Sequence, residues 1–324
     1  TLMFIWLGCQ DMTARFRLLL WLLSFCVAQD LAAQDVPAAC KDYLQKDESS
    51  APPVDAPPRI QHGSGLLWKI TAKDGSTSHL FGTIHSQDRR ATSLPPQVRL
   101  ALVQSQQLVM EVVPDRDSSR VFSSSILHTD GTRLESLLDQ EIFHDLARLS
   151  PAYGVDPEQV PHLKPWAAFT LIGRPRPVRA ASQDEVLMQF ALARGKPVHG
   201  LETMDELVAT LEGLSLADQI EILNDTVCNH AHIIRDARTL LDLYVARDLS
   251  GMVNFNAQPH HDEAVFDRYL QRLVYDRNQR MVERMTEYLR AGGAVFTVGA
   301  MHLPGEKGLL RSLEKSGYAV TRVY

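Results

Sequence analysis

Two stretches of the chain set an imidazole three residues beyond a glycine: Gly82-Thr-Ile-His85 and Gly299-Ala-Met-His302. With 18 Gly and 12 His in 324 residues, chance supplies roughly two-thirds of one such match, so the pair is a weak signal by number alone. Context strengthens it. His79-Leu-Phe leads into the first and Ala294-Val-Phe-Thr-Val into the second, short apolar, β-branched runs of strand length. Each glycine then marks a point where the backbone turns or is closely approached. An imidazole just past a strand end lies where open α/β sheets bind their ligands.

Two carboxylates stand in similar places. Glu111 interrupts the apolar run Leu108-Val-Met-Glu-Val-Val113, where an unpaired charge is costly and calls for a cation, a metal or a proton. An outward-facing position on a half-exposed strand is the plain alternative. Glu202 follows Lys196-Pro-Val-His-Gly-Leu; its plain alternative is to open the next helix, where a carboxylate suits the positive dipole end. Neutral imidazoles and carboxylates are ligands that first-row divalent ions accept. Such an ion lowers the pKa of a water, a nearby Glu takes its proton, and a cation such as Arg277 stabilises the charge that develops. This combination describes metal-assisted hydrolysis. For Arg277-Asn278, on the last long helix, an exposed ion pair is the simpler reading.

The elements that must position these groups alternate between strand and helix. A hairpin is expected over 66–81 around the turn Lys73-Asp-Gly-Ser76, then a helix from Leu94-Pro-Pro96 to about Gln106, then the strand carrying Glu111. The pattern is helical from about 132 to 194, punctuated by Gly154, Pro157, Pro161 and Pro165, and reads as a cap or insertion over the sheet. Strand character returns before Glu202. Helices follow over 204–246 and 264–289, and the chain closes with the strand before Gly299, a helix over 309–315 and an edge strand at 318–324. The fold class expected is α/β, a central mixed and mostly parallel sheet flanked by helices with a helical insertion. Cys228, His230 and His232 look like a metal cluster, but residues two apart on a helix diverge, so a solvated face is expected. His260-His261-Asp262-Glu263 reads as a loop that opens a helix.

Composition bounds the rest. A net charge of -6 with both signs interspersed offers no basic stripe, so no nucleic-acid partner is expected. Met12-Thr-Ala-Arg-Phe-Arg17, the apolar run 18–28 and cleavage sites near Ala33 or Ala38 read as a secretory signal. A retained signal anchor is the alternative, although the run is short for a span. Met12 is then the expected start, with residues 1–11 an upstream extension. The expected organisation is 1–38 signal and extension, 39–62 a Pro-rich lead-in, and 63–324 the folded domain. Removal of the signal takes Cys9 and Cys26 and leaves Cys40 and Cys228, as one disulfide or as two thiols. Pro before Ala-Ala-Cys40 makes a poor lipidation signal. No other stretch reaches spanning length.

The ordered set Leu80-Phe-Gly-Thr-Ile-His85, Leu94-Pro95, Leu108-Val-Met-Glu-Val112, Leu163-Lys-Pro-Trp166, Gly195-Lys-Pro-Val-His-Gly-Leu-Glu-Thr203, Arg277-Asn278 and Val298-Gly-Ala-Met-His-Leu-Pro-Gly305 resembles the TraB/GumN family. That family includes pheromone-shutdown proteins and the Tiki proteases, and the resemblance runs from about 66 to 324. It implies a fold similar to erythromycin esterase and the haem-binding ChaN-like proteins. It also implies a metal-dependent site with His85, Glu111 and His302 as ligands and Glu111, Glu202, Arg277 and Asn278 in catalysis. Where relatives have Gly before an Asp and a helix, this chain has Ala181-Ser-Gln-Asp184, and Asp184 is not carried over. Peptidase activity belongs to the animal branch of the family.

The expectation is therefore an exported, periplasmic or secreted metal-dependent hydrolase, metallopeptidase-like, using Mn, Co or Zn on a peptide or small-molecule substrate. A non-catalytic protein that binds a peptide or haem in the same cleft is the alternative. A third reading makes the histidines purely structural. His-Glu-x-x-His, Gly-x-Ser-x-Gly, Walker and Gly-x-Gly-x-x-Gly signatures are absent from the sequence.

Overall fold

The computed structural model describes residues 38–43, 60–257 and 261–324. The expected signal segment, most of the Pro-rich lead-in and His260 lie outside the described residues.

Six strands, β1 (Leu67–Thr71), β2 (Thr77–Thr83), β3 (Gln107–Met110), β4 (Val198–Gly200), β5 (Ala294–Gly299) and β6 (Ala319–Arg322), form one mixed sheet in the order β4-β3-β5-β2-β1-β6. β4, β3, β5 and β2 run parallel, and β1 pairs antiparallel with both β2 and β6. The hairpin is registered by Thr71 opposite Thr77, around a turn in which the Ala72 N–H donates to Ser76 O and Gly75 takes a positive φ of 89°. β3 and β5 are buried almost throughout, which is why they read as continuous apolar runs rather than alternating ones. The chain is α/β with a mixed sheet flanked by helices, and the four parallel strands end on one edge.

Glu111 does not sit inside its strand. β3 stops at Met110, and Glu111 is the first residue past it. Its backbone N–H still donates to Thr297 O at 2.8 Å, so the carboxylate leaves from a fixed point on the edge.

Apolar side chains gather in two clusters. One lies on the sheet, with Phe81, Phe296, Leu102, Met281 and Leu310. The other lies within the helical layer, around Trp166, Leu146 and Leu223, and includes Cys40. This second core is wider than the 132–194 insertion expected: it takes in Phe122 before it and Leu207, Leu211 and Val227 after it. Leu187, Met188 and Ala191, by contrast, pack on the sheet. The boundary blurs because the helix Gln183–Leu192 directly precedes β4 and must cover the strand it feeds.

Cys40 and Cys228 are joined in a disulfide with a Cα–Cα distance of 5.3 Å. The solvated face expected for Cys228, His230 and His232 is not found. One helix ends at Cys228 and the next begins at His230, with Asn229 between them. The break turns His230 inward, where its Nε2 lies 2.7 Å from the Tyr153 hydroxyl in a buried hydrogen bond.

The helix expected over 264–289 is one rod in three parts: Glu263–Leu270, a π-helical turn Gln271–Tyr275, and Asp276–Ala291. A π turn shifts the helical phase, here directly before Arg277 and Asn278.

Candidate active site

The carboxyl ends of β2, β3, β4 and β5 deliver His85, Glu111, Glu202 and His302 to one edge of the sheet. Gly82 makes the first approach possible. A Cβ on it would stand 2.7 Å from Leu303 Cδ1 and 3.1 Å from Ala300 Cα, so with glycine the 3-10 turn Ala300–His302 lies across the end of β2 without Leu303 or the turn giving way.

Both imidazoles are held by the same atom. His85 Nδ1 lies 2.7 Å from Asp184 Oδ2, and His302 Nδ1 lies 2.7 Å from Asn278 Oδ1. Asn278 Nδ2 donates to His302 O at 3.3 Å and Lys307 O at 2.9 Å, which fixes the amide and leaves Oδ1 as the acceptor. Nδ1–H therefore donates in both rings, which leaves Nε2 as the nitrogen open to other partners. Burial pushes His302 down to about 4, against the pull of Glu111, so the ring is neutral at physiological pH.

Glu111 is buried and its two oxygens are divided. Oε1 accepts from Arg277 Nη2 at 2.5 Å, Oε2 accepts from the Gly299 N–H at 2.8 Å, and His302 Nε2 stands 3.8 Å from Oε1. Burial works to raise the Glu111 pKa, but Arg277, then His302 and His85, hold it well below the ordinary carboxylate range. Arg277, 3% exposed, is no surface pair. Its Nε donates to Glu202 Oε2 at 2.8 Å, and Arg280 Nε donates to the other Glu202 oxygen at 2.8 Å. Two carboxylates raise the Arg277 guanidinium above its usual range despite its burial.

Gly299 marks the centre. A Cβ built on it would meet His302 Cδ2 at 3.4 Å, Glu111 Oε2 at 3.5 Å and His85 Nε2 at 3.9 Å. The bare glycine leaves a cradle among the three side chains read from the sequence as ligands. The donors suit a divalent ion in type: two imidazoles whose second nitrogen is hydrogen-bonded to an oxygen, the usual support of metal-bound histidine, and a carboxylate. The spacing is not that of a closed site. Among the described residues no group of three His, Cys, Asp or Glu side chains is drawn together tightly enough to ligate an ion, because Glu111 is turned toward Arg277.

The cradle opens into a cleft of about 1270 Å³ lined by His85, Asp184, Glu111 and Arg277, with Phe169, Leu207, Leu211, Ile222, Tyr269 and Leu273 along its apolar wall. Glu202, Asn278 and His302 stand behind this surface. Of the four residues assigned to catalysis, Glu111 and Arg277 face the cleft, while Glu202 grips Arg277 and Asn278 grips His302.

Sequence reasoning left out Asp184 and Arg280. A signal for Asp184 was present: Ser182-Gln-Asp-Glu185 is a capping box, with both reciprocal bonds formed. It places Asp184 in the first turn of a helix that covers the sheet edge. Arg280 carries no such mark, since only the three-dimensional path of β4 brings Glu202 against it.

The sequence model of the TraB/PrgY/gumN family matches residues 66–322, and the chain belongs to that family. Metalloprotease TIKI2 of Danio rerio is 25% identical over 82% of this chain and 62% of its own length. Metalloprotease TIKI1 of Homo sapiens is 26% identical over 81% of the chain and 63% of its own length. Uncharacterized protein YbaP of Shigella flexneri is 26% identical over 78% of the chain and 94% of its own length. The chain thus spans about three fifths of the Tiki relatives. No solved structure matches it.

Proposed function

We propose, from membership of this family and from the geometry of the sheet edge, that the chain is an exported metal-dependent hydrolase, a peptidase in its reaction class. The observation that carries the reading is the pair of imidazoles: each has Nδ1 tied to an oxygen, with His85 Nε2 turned toward Gly299 and His302 Nε2 3.8 Å from Glu111 Oε1. The names of the Tiki relatives support the same class.

His85 and His302, with Glu111, would hold a divalent ion, Mn, Co or Zn. Such an ion supplies a Lewis acid and lowers the pKa of a water. Asp184 and Asn278 keep both rings in the ligating tautomer. Glu111, kept ionised by Arg277, is the acceptor placed to take a proton. Arg277 presents a cation to the cleft for an oxygen that gains negative charge. Glu202 and Arg280 hold that guanidinium in place, and the apolar wall receives substrate side chains and excludes water.

Export to the periplasm or cell exterior is supported by the Cys40–Cys228 disulfide, since such bonds persist in oxidising compartments. Among the described residues no helix is long and apolar enough to cross a membrane.

Elemental analysis of protein purified without chelator, beside a His85→Ala/His302→Ala variant, tests the reading together with a quenched-fluorescence peptide library. A stoichiometric ion and peptide cleavage are expected in the wild type. Both should be lost in the variant while its circular dichroism is kept. Wild type that neither holds nor takes up Mn, Co or Zn overturns the hydrolase. The fixed Glu111–Arg277 pair favours a binding protein in that event, and a Soret band on haem titration would identify one ligand.

A further inference from the structure

His85 lies in the stretch 84–88, which belongs to no helix or strand. Backbone outside regular structure takes its position from whatever else bonds it. Here one residue does most of this. The Ile84 N–H donates to Gln183 Oε1 at 2.9 Å, and the Gln183 backbone N–H donates to Ser86 O at 3.0 Å. The residues on either side of His85 are thus tied to a single glutamine. Its Nε2 donates to Ala91 O at 2.6 Å, in the short helix Arg89–Thr92 that follows this stretch.

A second buried group locks the amide. The Tyr244 hydroxyl lies 2.9 Å from Gly82 O and 3.0 Å from Gln183 Oε1, so its one proton serves the motif glycine and the glutamine together. Gln183 and Tyr244 are 1% and 3% exposed, and burial raises the Tyr244 pKa, keeping the phenol protonated. Asp184, the next residue, holds the ring of His85.

We propose that Gln183 and Tyr244 are positioning residues that set where His85 presents its imidazole. The other half of the site has a counterpart. Asn278 holds the His302 ring through Oδ1 and the His302 and Lys307 carbonyls through Nδ2. What one asparagine does for His302, the pair Gln183–Asp184 does for His85, with Tyr244 as the brace. A residue that only fills space has no reason to bond both neighbours of a site histidine and its motif glycine.

The proposal rests on His85 being a ligand, and its test separates the two claims. Co²⁺ titration is followed by absorbance on wild type, Gln183→Leu, Gln183→Glu and Tyr244→Phe, with Met285→Ala, buried elsewhere in the sheet core, as a control for lost stability. Gln183→Leu should bind Co²⁺ about 10–100-fold more weakly, the usual cost of losing an outer-shell support. Gln183→Glu, which keeps the acceptor but not the donor, and Tyr244→Phe should lie between. Met285→Ala should lower Tm without changing affinity. In parallel, the His85 Nδ1–H resonance of the metal-free protein should shift and exchange faster in Gln183→Leu, while the His302 resonance stays in place. Unchanged affinity in Gln183→Leu with a Tm loss matching the control overturns the proposal. If wild type takes up no Co²⁺, the metal reading fails on its own and the resonances decide: an unmoved His85 signal overturns the positioning role.

Discussion

Replacing Gly299 by alanine should leave the fold intact and disable the site. The backbone at Gly299 has φ -53° and ψ 134°, open to any L-residue. Its N–H can still donate to Glu111 Oε2. The added methyl would meet neighbours no closer than 3.4 Å, which is ordinary van der Waals contact, so no clash is built in. Where the conformation is compatible, Gly→Ala stabilises by about 0.4–1 kcal/mol through the unfolded chain. For a domain of this size that is a Tm rise of about 1–4 °C. The methyl would sit 3.5 Å from Glu111 Oε2 and 3.9 Å from His85 Nε2, in the space a hydrolytic ion needs for its open coordination position. Differential scanning calorimetry and Co²⁺ titration of Gly299→Ala check both halves. A variant with Tm at or above wild type and at least about tenfold weaker binding, the lower bound for a disturbed metal shell, agrees with the reasoning. Undiminished binding and peptide turnover would refute the cradle as the place where the chemistry occurs.

Arg277→Met should destabilise by about 3–5 kcal/mol, because it strands the buried carboxylates of Glu111 and Glu202; adding Glu111→Gln and Glu202→Gln should restore much of the loss in urea unfolding. His230 is held neutral, its pKa lowered by burial and then by Arg176 and Arg148. Its contribution is whole above about pH 6.5, the ordinary histidine value, and is lost as pH falls from there toward the lowered folded value, so a His230→Gln variant should show a shallower drop in stability from pH 7 to 5. Reduction, or Cys40→Ser with Cys228→Ser, opens a link across 188 residues and should cost about 2–5 kcal/mol, read as a fall in the denaturation midpoint with dithiothreitol; no change would show that the link does not constrain the unfolded chain.

Much of the sheet edge was legible because its signals are local. The apolar runs before Gly82 and Gly299 fix two strands, the glycines mark where they stop, and the histidines follow by covalent geometry. Glu111 was legible as an anomaly, a charge in an apolar run. Its answer, Arg277, lies 166 residues away, and no local pattern reports such a pairing. The same limit hid Asp184: its helix start was written in Ser182 and Glu185, but its partner His85 is 99 residues distant. Arg277 was legible as a cation for developing charge, with an exposed ion pair as the plain alternative; its burial against two carboxylates was not, because the π turn at Gln271–Tyr275 changes which face of the helix it occupies. The break at Asn229 misled the reading of His230 likewise, since periodicity arguments assume an unbroken helix.

The charges around the cradle are not balanced by the protein. Three carboxylates, Glu111, Glu202 and Asp184, stand against two guanidinium groups, Arg277 and Arg280, while burial keeps His302 neutral. Counting the His85 imidazole, whose Nδ1 is 2.7 Å from Asp184 Oδ2, as an uncharged donor, one negative charge is left over. In a partly buried site an unmatched charge is felt strongly, so the cradle attracts a cation and resists an anion. A divalent ion would turn the surplus into a single positive charge, which an oxygen gaining negative charge from a bound substrate could then neutralise. With that count, the electrostatics of the cradle favour a cation.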